Sequence, residues 1–91
     1  MPRQLTYRLE VARSASRAIS QELPEPVAAA AVEFMTGPLL ANPQRVGKRL
    51  RGPLKGRWSA RRGQYRVIYT IDIEGEVVTV LHISHGRDSY R

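Results

Sequence analysis

The sequence predicts an α+β fold in which a first strand is followed by two N-terminal helices that pack on a small, mainly antiparallel twisted sheet. Three observations support this class. Apolar residues alternate with polar ones near the N-terminus, recur at helical spacing up to residue 35, and alternate again in short runs separated by glycines. Helices followed by closely spaced hairpins are typical of α+β domains. We therefore expect one domain over residues 1–91.

The N-terminal part predicts one strand and two helices. Residues 5–11 alternate with a period of two, as in a half-buried strand. Apolar residues recur at helical spacing over 13–23 and stop before a proline. A second helix is expected from Pro26, because proline is tolerated in the first helical turn. Gly37 and Pro38 are expected to end or kink it. Its apolar stripe comprises Val27, Ala30, Ala31, Phe34 and Met35.

The C-terminal half predicts an edge strand and two hairpins. Residues 44–56 are basic and contain three glycines and one proline, which is typical of a loop with a short edge strand. Three alternating runs follow, at 57–61, 64–73 and 76–85. Each of the two connections between these runs contains a glycine, which supplies the positive φ of a tight two-residue turn.

The turns set which side chains share a face. With turns at residues 62–63 and 74–75, Arg61 pairs with Gln64 and Arg66 pairs with Ile83. One face then carries Arg57, Ser59, Arg61, Gln64, Arg66 and His85. The other face, which the helices cover, carries Trp58, Ala60, Tyr65, Val67, Tyr69, Ile71, Val78 and Val80, and His82 is expected in that core.

Basic residues are concentrated in the middle of the chain. The net charge is +7, from 15 Lys+Arg and 8 Asp+Glu. Residues 34–71 hold nine bases and no acid, whereas the rest of the chain holds six bases and eight acids, a net of −2. A basic block in a folded domain favours a polyanionic partner, most simply nucleic acid. A solvated face that serves solubility is disfavoured, because interspersed signs meet that need.

Arginine suits phosphate, because its planar guanidinium donates two parallel hydrogen bonds. Arg61 and Arg66 are therefore interpreted as phosphate-binding residues. The alternative is that they are surface arginines paired with Glu10 or Asp72.

Two residues are candidates for proton transfer. His85 is expected at a strand end beside the arginines, and an imidazole is suited to moving a proton near neutral pH. Tyr90 follows at the same edge, where nearby arginines favour its phenolate. A terminal aromatic side chain that packs on the sheet explains Tyr90 nearly as well.

Several other classes of protein are disfavoured. The chain has no cysteine and two histidines, which excludes disulfides, thiolate chemistry and a zinc site built from these residues alone. We expect a cytoplasmic protein with no membrane association, since no apolar run suits a transmembrane helix or a signal peptide. The basic block lacks the paired carboxylates of a two-metal nuclease and the Walker-type phosphate loop.

Two segments resemble the RelE branch of the RelE/ParE toxin superfamily. They read SARRGQYRVIY over residues 59–69 and ISHGRDSYR over residues 83–91. Upstream, GPLLANP over residues 37–43 and GKRL over residues 47–50 are similar to the same branch. The resemblance covers nearly the whole chain, and the family fold of two N-terminal helices on a small antiparallel sheet agrees with the predicted elements.

The resemblance implies the toxin of a type II toxin–antitoxin system, a ribosome-dependent endoribonuclease that cleaves messenger RNA without a metal or other cofactor. The RNA 2′-hydroxyl is the implied nucleophile on the adjacent phosphate. By motif, Arg61 and Arg66 hold the scissile phosphate, His85 or Tyr90 transfers protons, and Arg87 adds charge. The residues implied to dock ribosomal RNA are Lys48, Arg49, Arg51, Lys55, Arg57 and Arg62.

The resemblance also implies partners. An acidic, partly disordered, RelB-like antitoxin is expected to wrap the basic face in a hetero-oligomer, and operator DNA is contacted indirectly, through that antitoxin. Ser59 stands near where well-studied members carry a lysine, and Gly86 stands where the family commonly has an arginine. Two other functions stay open: a ParE-like poison of DNA gyrase, and a catalytically weak module that binds RNA or the antitoxin.

Overall fold

A five-stranded sheet organises the chain. The computed structural model describes residues 6–86. The strands are β1 (Arg8–Val11), β2 (Lys48–Arg49), β3 (Trp58–Arg62), β4 (Tyr65–Asp72) and β5 (Val77–His85). They lie in the order β1-β5-β4-β3-β2, with β1 parallel to β5 and the other neighbours antiparallel. The predicted α+β class, the mainly antiparallel sheet and the short edge strand are confirmed.

Helical segments connect β1 to β2. They are α1 (Arg13–Arg17) with a π-helical continuation (Ala18–Glu22), α2 (Glu25–Thr36) and α3 (Pro38–Ala41). The first segment stops before Pro24 as predicted, and α2 begins with Pro26 in its first turn. Gly37 separates α2 from α3, which confirms the predicted break. Within residues 6–86, no helix is long and apolar enough to cross a lipid bilayer.

The core lies between these helices and one face of the sheet. Val67 and Tyr69 point into it from β4, two residues apart, because alternate residues of a strand share a face. From the predicted α2 stripe, Ala31, Phe34 and Met35 are buried, whereas Ala30 is exposed. Within residues 6–86, the buried side chains of the core cluster are Ala15, Ala18, Ala31, Phe34, Met35, Leu39, Leu40, Ala60, Tyr65, Val67, Tyr69, Val78, Val80 and Ile83.

The β3–β4 hairpin turns one residue later than predicted. Residues 63–64 form the turn, and Gly63 supplies the positive φ of 58°. Arg61 therefore pairs with Arg66, not with Gln64. The change moves each residue's partner by two positions, and a shift of two keeps every side chain on its face. The predicted grouping of Arg61 with Arg66 on one face is confirmed.

A β-bulge in β5 overturns part of the predicted register. Up to Val80, the pairing of β4 with β5 is the predicted one. Beyond it, Leu81 is skipped and His82 takes the next pairing position. One extra residue exchanges the two faces for the rest of the strand. Ile83, which was expected to face Arg66, is consequently buried in the core.

The bulge exchanges the predicted positions of the two histidines. His85, expected beside the arginines, pairs with Tyr65 and belongs by register to the face that holds the core. His82, expected in the core, is exposed, and its Nδ1 lies 3.1 Å from the Oγ of Ser14. Both positional predictions are wrong, because the pattern of apolar residues gives no sign of the extra residue.

The β4–β5 turn uses its glycine differently from the prediction. The positive φ of 57° belongs to Glu76, not to Gly75. Gly75 instead donates its N–H to the Oδ1 of Asp72 at 3.1 Å, and a Cβ at this position would lie 2.6 Å from Oδ2. A larger residue here would require the exposed Asp72 side chain to move away.

Candidate active site on the arginine face

The sheet face opposite the core carries both predicted phosphate-binding arginines. We call it the arginine face and define it by the residues that strand pairing places there: Lys48, Ser59, Arg61, Arg66, Ile68, His82 and Ser84. Arg61 pairs directly with Arg66, and Lys48 pairs directly with Ser59. The row of basic residues thus extends from β4 across β3 to the edge strand β2.

A cavity of about 500 Å³ lies on this face. It is lined by Arg45, Val46, Gly47, Lys48, Arg49, Leu50, Ser59, Arg61 and Arg66. Five of these residues are basic and none is acidic. Like charges close together repel one another, and an anionic ligand relieves that repulsion. The cavity is therefore suited to a phosphate group.

A second cavity, of about 650 Å³, shares Arg66 with the first. It is lined by Glu22, Leu23, Arg66, Ile68, His82, Ile83, Ser84 and His85. Within residues 6–86, the Nε of Arg66 and the Nε2 of His85 are buried without a hydrogen-bond partner. Buried polar atoms normally have partners, so these two nitrogens are candidates for contact with a bound group. The structure thus brings His85 to the same cavity as Arg66, although the strand register places it on the opposite face.

Two of the predicted RNA-docking arginines contact aromatic rings. The guanidinium carbon of Arg62 lies 4.7 Å from the ring centroid of Phe34 in α2. That of Arg49 lies 5.9 Å from the ring centroid of Trp58, although Arg49 also borders the first cavity. Both separations suit cation–π attraction. By strand register, Arg49 and Arg62 belong to the face opposite Arg61 and Arg66.

The remaining predicted site residues lie apart from the arginine pair. Arg51, Lys55 and Arg57 are exposed in the segment between β2 and β3, which includes a 3₁₀ turn (Gly52–Leu54). Arg51 and Lys55 border a third cavity, of about 900 Å³, together with Trp58, Ile71 and Ile73. Arg87 and Tyr90 lie outside the described residues.

Tyr69 supports the edge of the site from the core. Its hydroxyl donates a hydrogen bond to the carbonyl oxygen of Pro43 at 2.6 Å. Burial raises the pKa of Tyr69 to about 12, against a smaller opposite effect of Arg62, so the phenol remains a donor at neutral pH. Gly47 lies against this hydroxyl and the carbonyl oxygen of Ser59, where no side chain fits. The chain entering β2 is therefore held closely to β3 and β4.

Sequence reasoning missed three residues of the arginine face: Lys48, and also His82 and Ser84, which the bulge places there. Lys48 was expected in an edge strand, but no turn next to it fixes its register, so its place opposite Ser59 could not be inferred. His82 reaches this face only because of the bulge. The glycine before Lys48 was the one available signal, since it permits close approach of two backbones.

Comparison with known proteins adds a second line of support. Residues 11–90 match the family described as the ParE toxin of the type II toxin–antitoxin system, parDE. The chain is 51% identical over 85 residues to Toxin RelE of Mycobacterium tuberculosis, a match that covers 93% of this chain and 87% of that protein.

Two solved structures with a similar fold are toxin–antitoxin complexes. One is RelBE2 of Mycobacterium tuberculosis, with a TM-score of 0.85 and 44% identity, covering 88% of this chain and 98% of the matched chain. Another is the archaeal RelE–RelB complex of Pyrococcus horikoshii, with a TM-score of 0.69 and 28% identity, covering 90% and 98% of the two chains.

Proposed function

Because this chain belongs to the ParE toxin family of type II toxin–antitoxin systems, and to the RelE branch of the RelE/ParE superfamily, we propose that it inhibits translation by cleaving messenger RNA on the ribosome. The proposed activity is that of a metal-independent endoribonuclease in the cytoplasm. Its site is the arginine face and the two cavities that share Arg66.

The direct pairing of Arg61 with Arg66, in a cavity whose lining has no acid, carries this proposal. In RNA cleavage, negative charge grows on the non-bridging oxygens of the scissile phosphate. Guanidinium groups that are already in place stabilise this charge without reorganising. A buried Nε on Arg66 that lacks a partner within residues 6–86 offers a further donor to such a phosphate.

The reaction transfers phosphorus from the 5′-oxygen to the neighbouring 2′-oxygen. The 2′-oxygen loses its proton and bonds to phosphorus while the bond to the 5′-oxygen breaks, which leaves a 2′,3′-cyclic phosphate and a 5′-hydroxyl. Arg61 and Arg66 hold the phosphate, His85 or Tyr90 moves a proton, and Arg87 adds positive charge. His85 qualifies because it lines the second cavity together with Arg66 and its buried Nε2 has no hydrogen-bond partner within residues 6–86.

Basic residues other than Arg61 and Arg66 bind RNA through its backbone. Such contacts orient a nucleic acid without reading its sequence, and they weaken as salt is added. The proposed docking residues are Lys48, Arg49, Arg51, Lys55, Arg57 and Arg62. Arg49 and Arg62 serve from the margins, since their guanidinium groups lie over aromatic rings.

We also propose a cognate acidic antitoxin as partner, in a hetero-oligomer. Two proteins of similar fold were solved as toxin–antitoxin complexes, RelBE2 and the archaeal RelE–RelB pair. The excess of nine bases over residues 34–71 attracts an acidic chain as readily as RNA. An antitoxin that covers the arginine face excludes messenger RNA from it.

The test uses purified ribosomes that carry a defined message. Message ends are mapped after addition of wild type, Arg61→Ala or Arg66→Ala. We expect wild type to cut within the decoding site. Each variant is expected to cut at least about 100-fold more slowly, which is the usual cost of losing one transition-state donor. Arg8→Ala is the matched control, because it removes the same charge from β1, at the opposite edge of the sheet.

The outcomes separate the competing functions. An intact message with wild type overturns the nuclease proposal, and undiminished cleavage by both variants overturns the assignment of Arg61 and Arg66. A parallel assay with DNA gyrase tests the ParE-like alternative. Trapped DNA breaks without message cleavage assign the protein to that activity instead.

A further inference from the structure

We propose that Lys48 is a catalytic residue, the general acid that protonates the leaving 5′-oxygen during messenger-RNA cleavage. This inference rests on the proposed function and assigns Lys48 a chemical role beyond docking RNA. It follows from the register of the edge strand, the packing that holds that strand, and the chemistry of the three cations that meet there.

The register of β2 brings one of its two residues to the arginine face. Lys48 pairs directly with Ser59, and Arg49 pairs with Trp58. Directly paired side chains share a face, so Lys48 projects beside Ser59, whereas Arg49 projects to the other side, over the Trp58 ring. Arg61 is the diagonal neighbour of Lys48, with Cα atoms about 7–8 Å apart for this relationship.

The backbone at Lys48 is held in place even though β2 is short. The preceding residue, Gly47, lies against the hydroxyl of Tyr69 and the carbonyl oxygen of Ser59, with no room for a Cβ. The Tyr69 hydroxyl is fixed in turn by its 2.6 Å hydrogen bond to Pro43. Lys48 therefore stands on an anchored backbone and lines the same cavity as Arg61 and Arg66, at the border with the third cavity.

Lys48 supplies a proton that its neighbours cannot supply. Guanidinium groups bind phosphate but do not deprotonate in proteins, whereas an ammonium carries a transferable proton. The other lysine of the chain, Lys55, borders the third cavity, as Lys48 also does, but only Lys48 of the two lines the cavity of Arg61 and Arg66. His82, also on the arginine face, pairs with Ile68, is hydrogen-bonded with Ser14 and borders the second cavity.

The proposed step balances in protons and electrons. As the 2′-oxygen bonds to phosphorus, the bond from phosphorus to the 5′-oxygen breaks, and its electron pair stays on that oxygen. The 5′-oxygen takes a proton from the Nζ of Lys48 and leaves as a hydroxyl, and Lys48 becomes a neutral amine. The proton lost by the 2′-hydroxyl passes to the proposed base, His85 or Tyr90. Exchange with solvent then returns one proton to Lys48.

The test compares two messages that differ at one atom. In one, the scissile 5′-oxygen is replaced by sulfur, which leaves as a thiolate and does not need an acid. Single-turnover cleavage is measured on ribosomes with saturating wild type, Lys48→Met, Lys48→Arg or the control Arg8→Met. On the oxygen message we expect both Lys48 variants to be slowed about 100-fold, the low end for loss of general acid–base catalysis. On the sulfur message we expect all four proteins to cleave within a few-fold of one another.

Each result is decisive. Cleavage of the oxygen message by Lys48→Met at the wild-type rate overturns the inference and leaves the proposed function standing. An equal loss on both messages, or rescue by Lys48→Arg on the oxygen message, shows that Lys48 contributes charge alone and also overturns it. Failure of wild type to cleave either message overturns the proposed function and the inference together. Circular dichroism and thermal unfolding of each variant exclude loss of the fold as the cause.

Discussion

The hydroxyl of Tyr69 donates a hydrogen bond to the carbonyl oxygen of Pro43 at 2.6 Å, and both residues are fully buried. This bond joins the central strand β4 to the segment that leads into the edge strand β2. The aromatic ring of Tyr69 belongs to the core. Its hydroxyl holds the backbone at Pro43, just before β2, and β2 carries Lys48 at one side of the arginine face. Stability and site geometry are therefore coupled at this residue.

The substitution Tyr69→Phe tests that bond. It leaves a buried carbonyl oxygen without its donor, so we expect the free energy of unfolding to fall by about 1–3 kcal/mol in chemical denaturation. Tyr65→Phe is the matched control, because its hydroxyl donates to Ala30 at 3.2 Å in a partly buried site. Its expected loss is smaller, about 0.5–1.5 kcal/mol. A larger loss for Tyr65→Phe than for Tyr69→Phe contradicts this account.

The buried phenol also predicts a loss of stability in alkali. Burial raises the pKa of Tyr69 from 10.0 to about 12 in the folded protein. The unfolded chain therefore releases this proton first, so the stabilisation is complete below pH 10 and is lost as the pH rises through about 12. We expect the free energy of unfolding to fall less steeply over this range for Tyr69→Phe than for wild type. Parallel curves for the two proteins count against the assignment.

Gly47→Ala is expected to act through Tyr69. An added Cβ meets the tyrosine hydroxyl and lies 2.9 Å from the carbonyl oxygen of Ser59. Overpacking of this kind costs about 1–3 kcal/mol. Because the hydroxyl is the nearest obstacle, Gly47→Ala should cost less in a Tyr69→Phe background than in wild type. Chemical denaturation of the two single variants and the double variant measures this coupling, and strictly additive losses exclude it.

The contact between Arg62 and Phe34 predicts a coupling on the opposite face. With the guanidinium carbon 4.7 Å from the ring centroid, a double-mutant cycle of Arg62→Ala and Phe34→Leu should give about 0.5–1 kcal/mol. The same cycle with Arg61→Ala should give a coupling near zero, since Arg61 lies on the other side of the sheet. Equal couplings for the two arginines contradict the face assignment.

The grouping of Arg61 with Arg66 could be predicted from sequence because it tolerates an error in the turn. The turn lies one residue later than predicted, yet this changes each partner by two positions, and side chains alternate with a period of two. The α2 stripe of Ala31, Phe34 and Met35 was predictable for a related reason, since helical spacing fixes a face whatever the helix ends are.

The remainder of the site depends on events that side-chain alternation does not record. A skipped residue at position 81 reverses the faces of His82 and His85, and the run of apolar residues around it looks continuous. The register of β2 is set by the packing of Gly47 against Tyr69, which lies 22 positions later in the chain. Local patterns cannot report such contacts, so Lys48 could be predicted as basic and exposed but not as a neighbour of Ser59.

The bulge also divides β5 into two parts with different strand neighbours. The part before the bulge, Val77–Val80, has a strand neighbour on each side, β1 on one and β4 on the other. The part after it has β4 as its strand neighbour and supplies His82, Ser84 and His85 to the second cavity. A relative that gained or lost the residue at position 81 would present the alternate set of side chains beside Arg66. Its proton-transfer groups could thus diversify while the arginine hairpin stayed the same.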